Sequence, residues 1–145
     1  MQTAPLVEYP LVSSGQRSRQ TAPLLSDIQV RGGIVEVGLT ETTNLTTRAL
    51  DRTKNALTGE ILTSVGYNKA LILRIGDVGL DTAGINFLST LKDTLRERGI
   101  GLVIFCDAAE QLRALQGASS LSPVVKNRMV DAVTLAQRFA RSRAA

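Results

Sequence analysis

Leu71-Ile72-Leu73-Arg74-Ile75-Gly76-Asp77-Val78-Gly79-Leu80-Asp81-Thr82-Ala83-Gly84 decides the fold of this 145-residue chain. With Ala70 before it, its first five residues are apolar at every position but Arg74, the pattern of a central parallel strand covered on both faces. A glycine-containing loop follows, and then Ile85, Leu88, Leu91 and Leu95 recur at helical intervals. Asp81 and Thr82 stand where that helix starts, and Gly99 stands where it stops. Leu102-Val103-Ile104-Phe105-Cys106 then reads as a second buried strand, completing a strand–helix–strand unit.

The same grammar extends in both directions. Upstream, Ile28 and Val30 alternate with polar neighbours, Gly32-Gly33 makes a turn, and Ile34-Val35-Glu36-Val37 returns, which predicts a β-hairpin. Residues 40–47 are rich in hydroxyl side chains and suit a loop ending in a helix cap. Leu50, Leu57, Ile61 and Val65 predict the helix that follows, with Gly66 as its stop; Gly59 inside it costs about 1 kcal/mol relative to alanine. Downstream, Asp107-Ala108-Ala109-Glu110 looks like a capping box, with Asp107 accepting from a free N–H and Glu110 reaching back. Leu112 and Leu115 are the inward side of that short helix and Gly117 ends it. Val124-Val125-Lys126 suits a last short strand, and Met129, Val133, Ala136 and Ala140, with Leu135 and Phe139 alongside, make a final helix. The expected order is β-β-α-β-α-β-α-β-α, an α/β fold built on an open sheet.

Composition narrows the chemistry. Apolar residues make up 43% and charged residues 21%, which is ordinary for one globular domain. A single cysteine excludes an intramolecular disulfide framework. The absence of histidine removes Ser–His and Cys–His pairs, imidazole acid–base chemistry and every His-containing metal site. The net charge of +4 sits at the ends: residues 126–145 carry +4, residues 1–25 carry +1 and the body carries −1. Tyr9, Tyr67, Phe87, Phe105 and Phe139 are the whole aromatic complement, so the basic stripe with interleaved aromatics of a nucleic-acid binder is missing. No apolar run reaches the ~18 residues of a membrane span and no signal-peptide core opens the chain, so a soluble cytoplasmic protein is expected. Pro5, Pro10, Pro23 and Ser13-Ser14-Gly15 mark residues 1–25 as an extended or flexible arm, with the domain in residues 26–145.

Candidate chemistry concentrates where the quoted strand runs into its helix. Free N–H groups and the positive end of the helix dipole gather there and favour an anion. A hydroxyl at Thr82 has two readings, a cap for the helix or a phosphoacceptor. Elsewhere the bland readings hold. Gly76-x-x-Gly79 and Gly99-x-Gly101 lack dinucleotide or P-loop spacing and read as turns. Cys106 ends a buried strand and reads as core. Asp77 and Asp81 are a loop residue and a cap rather than a catalytic carboxylate pair. Arg138, Arg141 and Arg143 form a solvated helix end, with an electrostatic contact to an acidic partner as the sharper alternative.

The run from Leu71 through Gly84, with Leu88, Leu91, Arg98-Gly99, Leu102-Val103 and the closing helix, resembles the STAS domain family over roughly residues 26–140. Asp81, Thr82 and Gly84 match the Asp-Ser/Thr-x-Gly signature that opens the family's second helix. The resemblance implies a small mixed sheet with helices mainly on one face, no enzymatic activity and no cofactor. It also implies a partner-binding surface at Asp81, Thr82, Ala83, Gly84, Ile85 and Asn86. In the anti-sigma factor antagonists of this family, a partner serine/threonine kinase, which is also the anti-sigma factor, phosphorylates the hydroxyl residue; by motif position that residue is Thr82. The chain departs from those antagonists in having Thr rather than Ser, and Arg74 where the strand often carries an acidic residue. Asp-Thr-Ala is similar to stressosome scaffold subunits, which associate with other STAS subunits, and Asp-Thr-Ala-Gly to the STAS subunit of a bacterial phospholipid-transport ATPase. A homo-oligomer is compatible with these readings.

Overall fold

The turn Gly32-Gly33, with φ of 56° and 83°, joins two strands, β1 (Leu25–Arg31) and β2 (Ile34–Leu39), into an antiparallel hairpin. Two residues at positive φ are what a tight hairpin turn needs to follow the twist of its strands. A computed structural model describes residues 24–40 and 43–144 of the chain, with side chains to residue 141. The expected arm therefore lies outside the described residues, apart from its last two. Those two belong to the domain: Leu25 opens β1 and is buried, and the carbonyl of Leu24 accepts from the Thr40 N–H and the Thr43 hydroxyl.

Beyond the hairpin come α1 (Thr47–Val65), β3 (Ala70–Arg74), α2 (Thr82–Glu97) and β4 (Gly101–Phe105). They are followed by α3 (Ala109–Gln116), a 3-10 turn at Ser122–Val124, β5 (Val125–Lys126) and α4 (Met129–Ala144). The fold is α/β with a five-stranded mixed sheet in the order β1-β2-β3-β4-β5, where every neighbouring pair after the hairpin is parallel. The expected element order is observed, with the 3-10 turn taking Val124 from the last strand.

Alternation along the strands divides the core in two. Val35, Val37, Leu71, Leu73, Leu102 and Ile104 face the helices α1, α2 and α3, which bury Leu57, Ile61, Leu88, Leu91, Leu95 and Leu115 against them. Ala70, Ile72 and Val103 face the other way and meet α4 through Ala132 and Ala136. Three of the four helices thus share one face. Burial on both sides explains why β3 and β4 are almost continuously apolar. α4 lies close to the sheet because Gly101 has no side chain: a Cβ there would fall 2.3 Å from the Phe139 ring.

Two helix faces differ from the periodic reading. On α2, Ile85 is only half buried and Phe87 takes its place in the core. On α4, Ala132 is fully buried, a position that the wider stripe from Met129 to Ala140 left out. Small residues carry little hydrophobic signal, yet they permit the closest approach to a sheet.

Candidate functional site

Two loops at the C-terminal end of the parallel strands are stitched together. Leu45 and Leu80 form an isolated parallel bridge, in which the Leu45 N–H donates to Gly79 O at 2.8 Å and the Asp81 N–H donates to Leu45 O at 3.3 Å. The Gly79 N–H donates to Asn44 Oδ1 at 2.8 Å, and Gln111 of α3 donates from Nε2 to Val78 O at 2.9 Å. These contacts place the first turns of α1 and α2 side by side, although they are 34 residues apart in sequence.

Asp81 serves both helices. Its Oδ1 accepts from the Gly84 N–H at 3.1 Å, which makes it the N-cap of α2. Its Oδ2 accepts from the Thr47 N–H at 2.8 Å and the Thr47 hydroxyl at 3.1 Å, at the first residue of α1. The Thr47 N–H is the largest influence holding the Asp81 carboxyl below its ordinary value of 3.8, and the Gly84 N–H adds to it against a partial desolvation. Thr46 caps α1 by accepting from the Ala49 N–H at 3.4 Å, as the hydroxyl-rich loop predicts.

Gly84 explains the last letter of the signature. A Cβ at this position would fall 2.0 Å from the Leu45 carbonyl oxygen and 2.9 Å from Leu45 Cβ. Only a bare backbone lets the first turn of α2 press against the loop before α1. Gly84 is accordingly buried, and its place in the site is this close approach of the two elements.

Thr82 is not the cap. Asp81 holds that role, which leaves Thr82 at the first helical position with an exposed side chain and no hydrogen bond from its hydroxyl to any described residue. Asn86 is exposed one turn further on, while Ala83 and Ile85 are half buried. Beside them a shallow groove of about 240 Å³ runs between the two helices, lined by Thr47, Leu50, Asp51, Lys54, Ala83, Asn86, Phe87 and Thr90. Leu50 and Phe87 form its apolar floor. The α1 side of this groove carries no motif, and no spacing rule links residue 47 to residue 81.

The remaining candidates resolve into structure. Cys106 is fully buried, and burial pushes its thiol above the ordinary value, opposite to the activation that a nucleophile needs. Asp77 is exposed in the loop before α2. Asp107 is not a cap: α3 starts one residue later than the capping-box reading requires, its N-cap is Ala108, and no side chain caps it. Arg138 and Arg141 are exposed near the end of α4. Arg74 lies on the α4 face, where its Nε is 3.0 Å from Glu36 Oε2 at an angle outside hydrogen-bond range, so the two pair as ions. Its guanidinium also donates to Asp27 O at 3.1 Å and covers the backbone of Gly38. Among the described residues no His, Cys, Asp or Glu cluster could hold a metal, and no helix is long and apolar enough to cross a membrane. Comparison with protein-family models and with curated proteins gave no match for this chain.

Proposed function

We propose that this protein is a non-enzymatic regulator of the STAS type, an anti-sigma factor antagonist that works by switching protein partners. The observation that carries the proposal is the exposed, uncapped hydroxyl of Thr82 at the first turn of α2, beside a groove with an apolar floor. In this reading the unmodified surface around Thr82, Asn86 and the α1–α2 groove docks on a regulatory serine/threonine kinase. Asp81 takes the cap, so no described residue holds the Thr82 hydroxyl away from the kinase, and the N-terminal end of α2 tolerates the −1.5 to −2 charge of a phosphate. Once formed, the phosphothreonine places that charge in the interface next to the Asp81 carboxylate. Repulsion and desolvation of roughly 3 kcal/mol weaken the complex about a hundredfold.

The test uses wild-type, Thr82→Ala and Thr82→Glu baits in native lysate supplied with ATP, with retained proteins and modified residues identified by mass spectrometry. Phosphate on Thr82, with an ATP-binding kinase retained by wild type and Thr82→Ala but lost from Thr82→Glu, is the expected result. Equal retention of a transport ATPase or of a large STAS assembly by all three baits replaces the switch with a structural subunit.

A further inference from the structure

The sheet ends at β1, which pairs with β2 alone among the described residues and leaves its outer backbone groups open. Open edges are usually blunted by charge or distortion, because they template strand addition. This one has both devices, yet between its charged residues it carries Ile28 and Val30 at 52% and 56% exposure, two of the four exposed large apolar side chains among the described residues. Val30 sits opposite Val35, so it belongs to the face that carries α1. Ile28 lines a groove on the same side, with Leu25 from β1 and Ala56, Gly59 and Thr63 from α1. Asp27 and Arg31 flank the two apolar residues, both exposed and neither in an ion pair among the described residues.

We infer that the occupant of this edge is a second copy of the same chain, paired antiparallel through β1 about a twofold axis at Gln29. That register is self-complementary. It sets Ile28 against Val30 of the partner copy and Asp27 against Arg31 of the partner copy, each pair occurring twice. Residues directly opposite across an antiparallel pair share a face, so the four apolar side chains form one strip beside α1 of each copy. The two ion pairs stand at the ends of the paired segment, with Arg31 on the opposite face of the sheet, beside α4. The backbone shift between Ser26 and Gln29 in the β1–β2 pairing, with Asp27 at φ 51°, bends β1 there and keeps the paired segment from extending toward Leu25. The contact is accordingly small, and a dissociation constant on the order of micromolar is expected. α2 packs away from this edge, so pairing presents two Thr82 surfaces at once, although the inference does not depend on their role.

Sedimentation of the full-length protein from about 1 to about 500 μM tests it. Wild type moves from 15.5 kDa toward twice that mass with concentration. Arg31→Glu alone and Asp27→Lys alone each set like charges opposite one another, and each weakens self-association at least about tenfold. Their equimolar mixture restores both opposite-charge pairs and returns to dimer mass, which neither backbone strain at residue 27 nor general surface charge would produce. Circular dichroism confirms that both variants fold. A wild type that stays monomeric throughout, as it would if residues 1–23 covered the edge, overturns the inference. So does a mixture no heavier than its components, or variants that associate like wild type.

Discussion

The starts of α2 and α3 invite comparison, because both follow a buried parallel strand and both offer an aspartate and a small-residue turn. At α2 the carboxylate of Asp81 closes donors from two helices, and Gly84 presses on the Leu45 loop. At α3 the aspartate stands one position too early, and the helix opens on Ala108 without a side-chain cap. Its first backbone bond, from the Leu112 N–H to Ala108 O at 2.8 Å, forms nonetheless. The difference is tertiary. The backbone before α2 is braced by the Leu45–Leu80 bridge, which brings the carboxylate to its donors, whereas among the described residues no such bridge fixes the turn before α3, whose tie to the neighbouring loop is the Gln111 side chain on Val78 O. A capping pattern lists donors and acceptors; the neighbouring loop decides whether they meet.

The sharpest way to break this contrast is Gly84→Ala. The added Cβ meets a backbone oxygen that has no rotamer to escape into, and a loss of about 3 kcal/mol by urea unfolding is expected. At the end of α3, Gly117→Ala meets carbonyl oxygens only at 3.5 Å or beyond, with an ordinary right-handed backbone, and should change stability by less than about 1 kcal/mol in the favourable direction. Next in size is Asp81→Ala, which opens the cap of α2 and its tie to Thr47 together. A fall of roughly 4–8 °C in Tm by scanning calorimetry is expected. The carboxylate also gives the α2 start an acid dependence. Its folded pKa lies below the ordinary 3.8, so its contribution is complete above that value and disappears as pH falls through the folded value. Asp81→Asn, which can still accept from Gly84, should show a shallower loss of Tm below pH 3.8 than wild type. The smallest effects belong to Asp107→Ala and Thr82→Ala, each within about 0.5 kcal/mol of wild type. A large loss on Thr82→Ala would return Thr82 to the capping role from which Asp81 displaces it.

Much of the fold was legible in the chain. Continuous apolar runs at β3 and β4, the helical spacing of Leu50, Leu57, Ile61 and Val65, and the stops at Gly66 and Gly99 lead directly to the observed elements. Each is a local signal, set by burial or by the backbone freedom of one residue. The errors share a different cause. Phe87 replacing Ile85, Ala132 entering the core and Asp107 failing as a cap all depend on what another element brings alongside. The site divides in the same way. Asp81, Thr82 and Gly84 stand out as a helix start, but the tie from Asp81 to Thr47 and the α1 wall of the groove arise only when two distant loops pair.

Spatial order and chain order coincide in this sheet, from β1 to β5 without exception. Each strand docks on the one made just before it, and no later strand is inserted between earlier ones. A chain emerging from the ribosome can therefore extend the sheet as it is synthesised, adding every parallel strand to a template already in place. Pairings between successive elements keep loop closure short, which favours fast folding and leaves few intermediate edges exposed for long. Of the two edge strands among the described residues, β1 is made first and stays at the edge through every later addition, whereas β5 is made last.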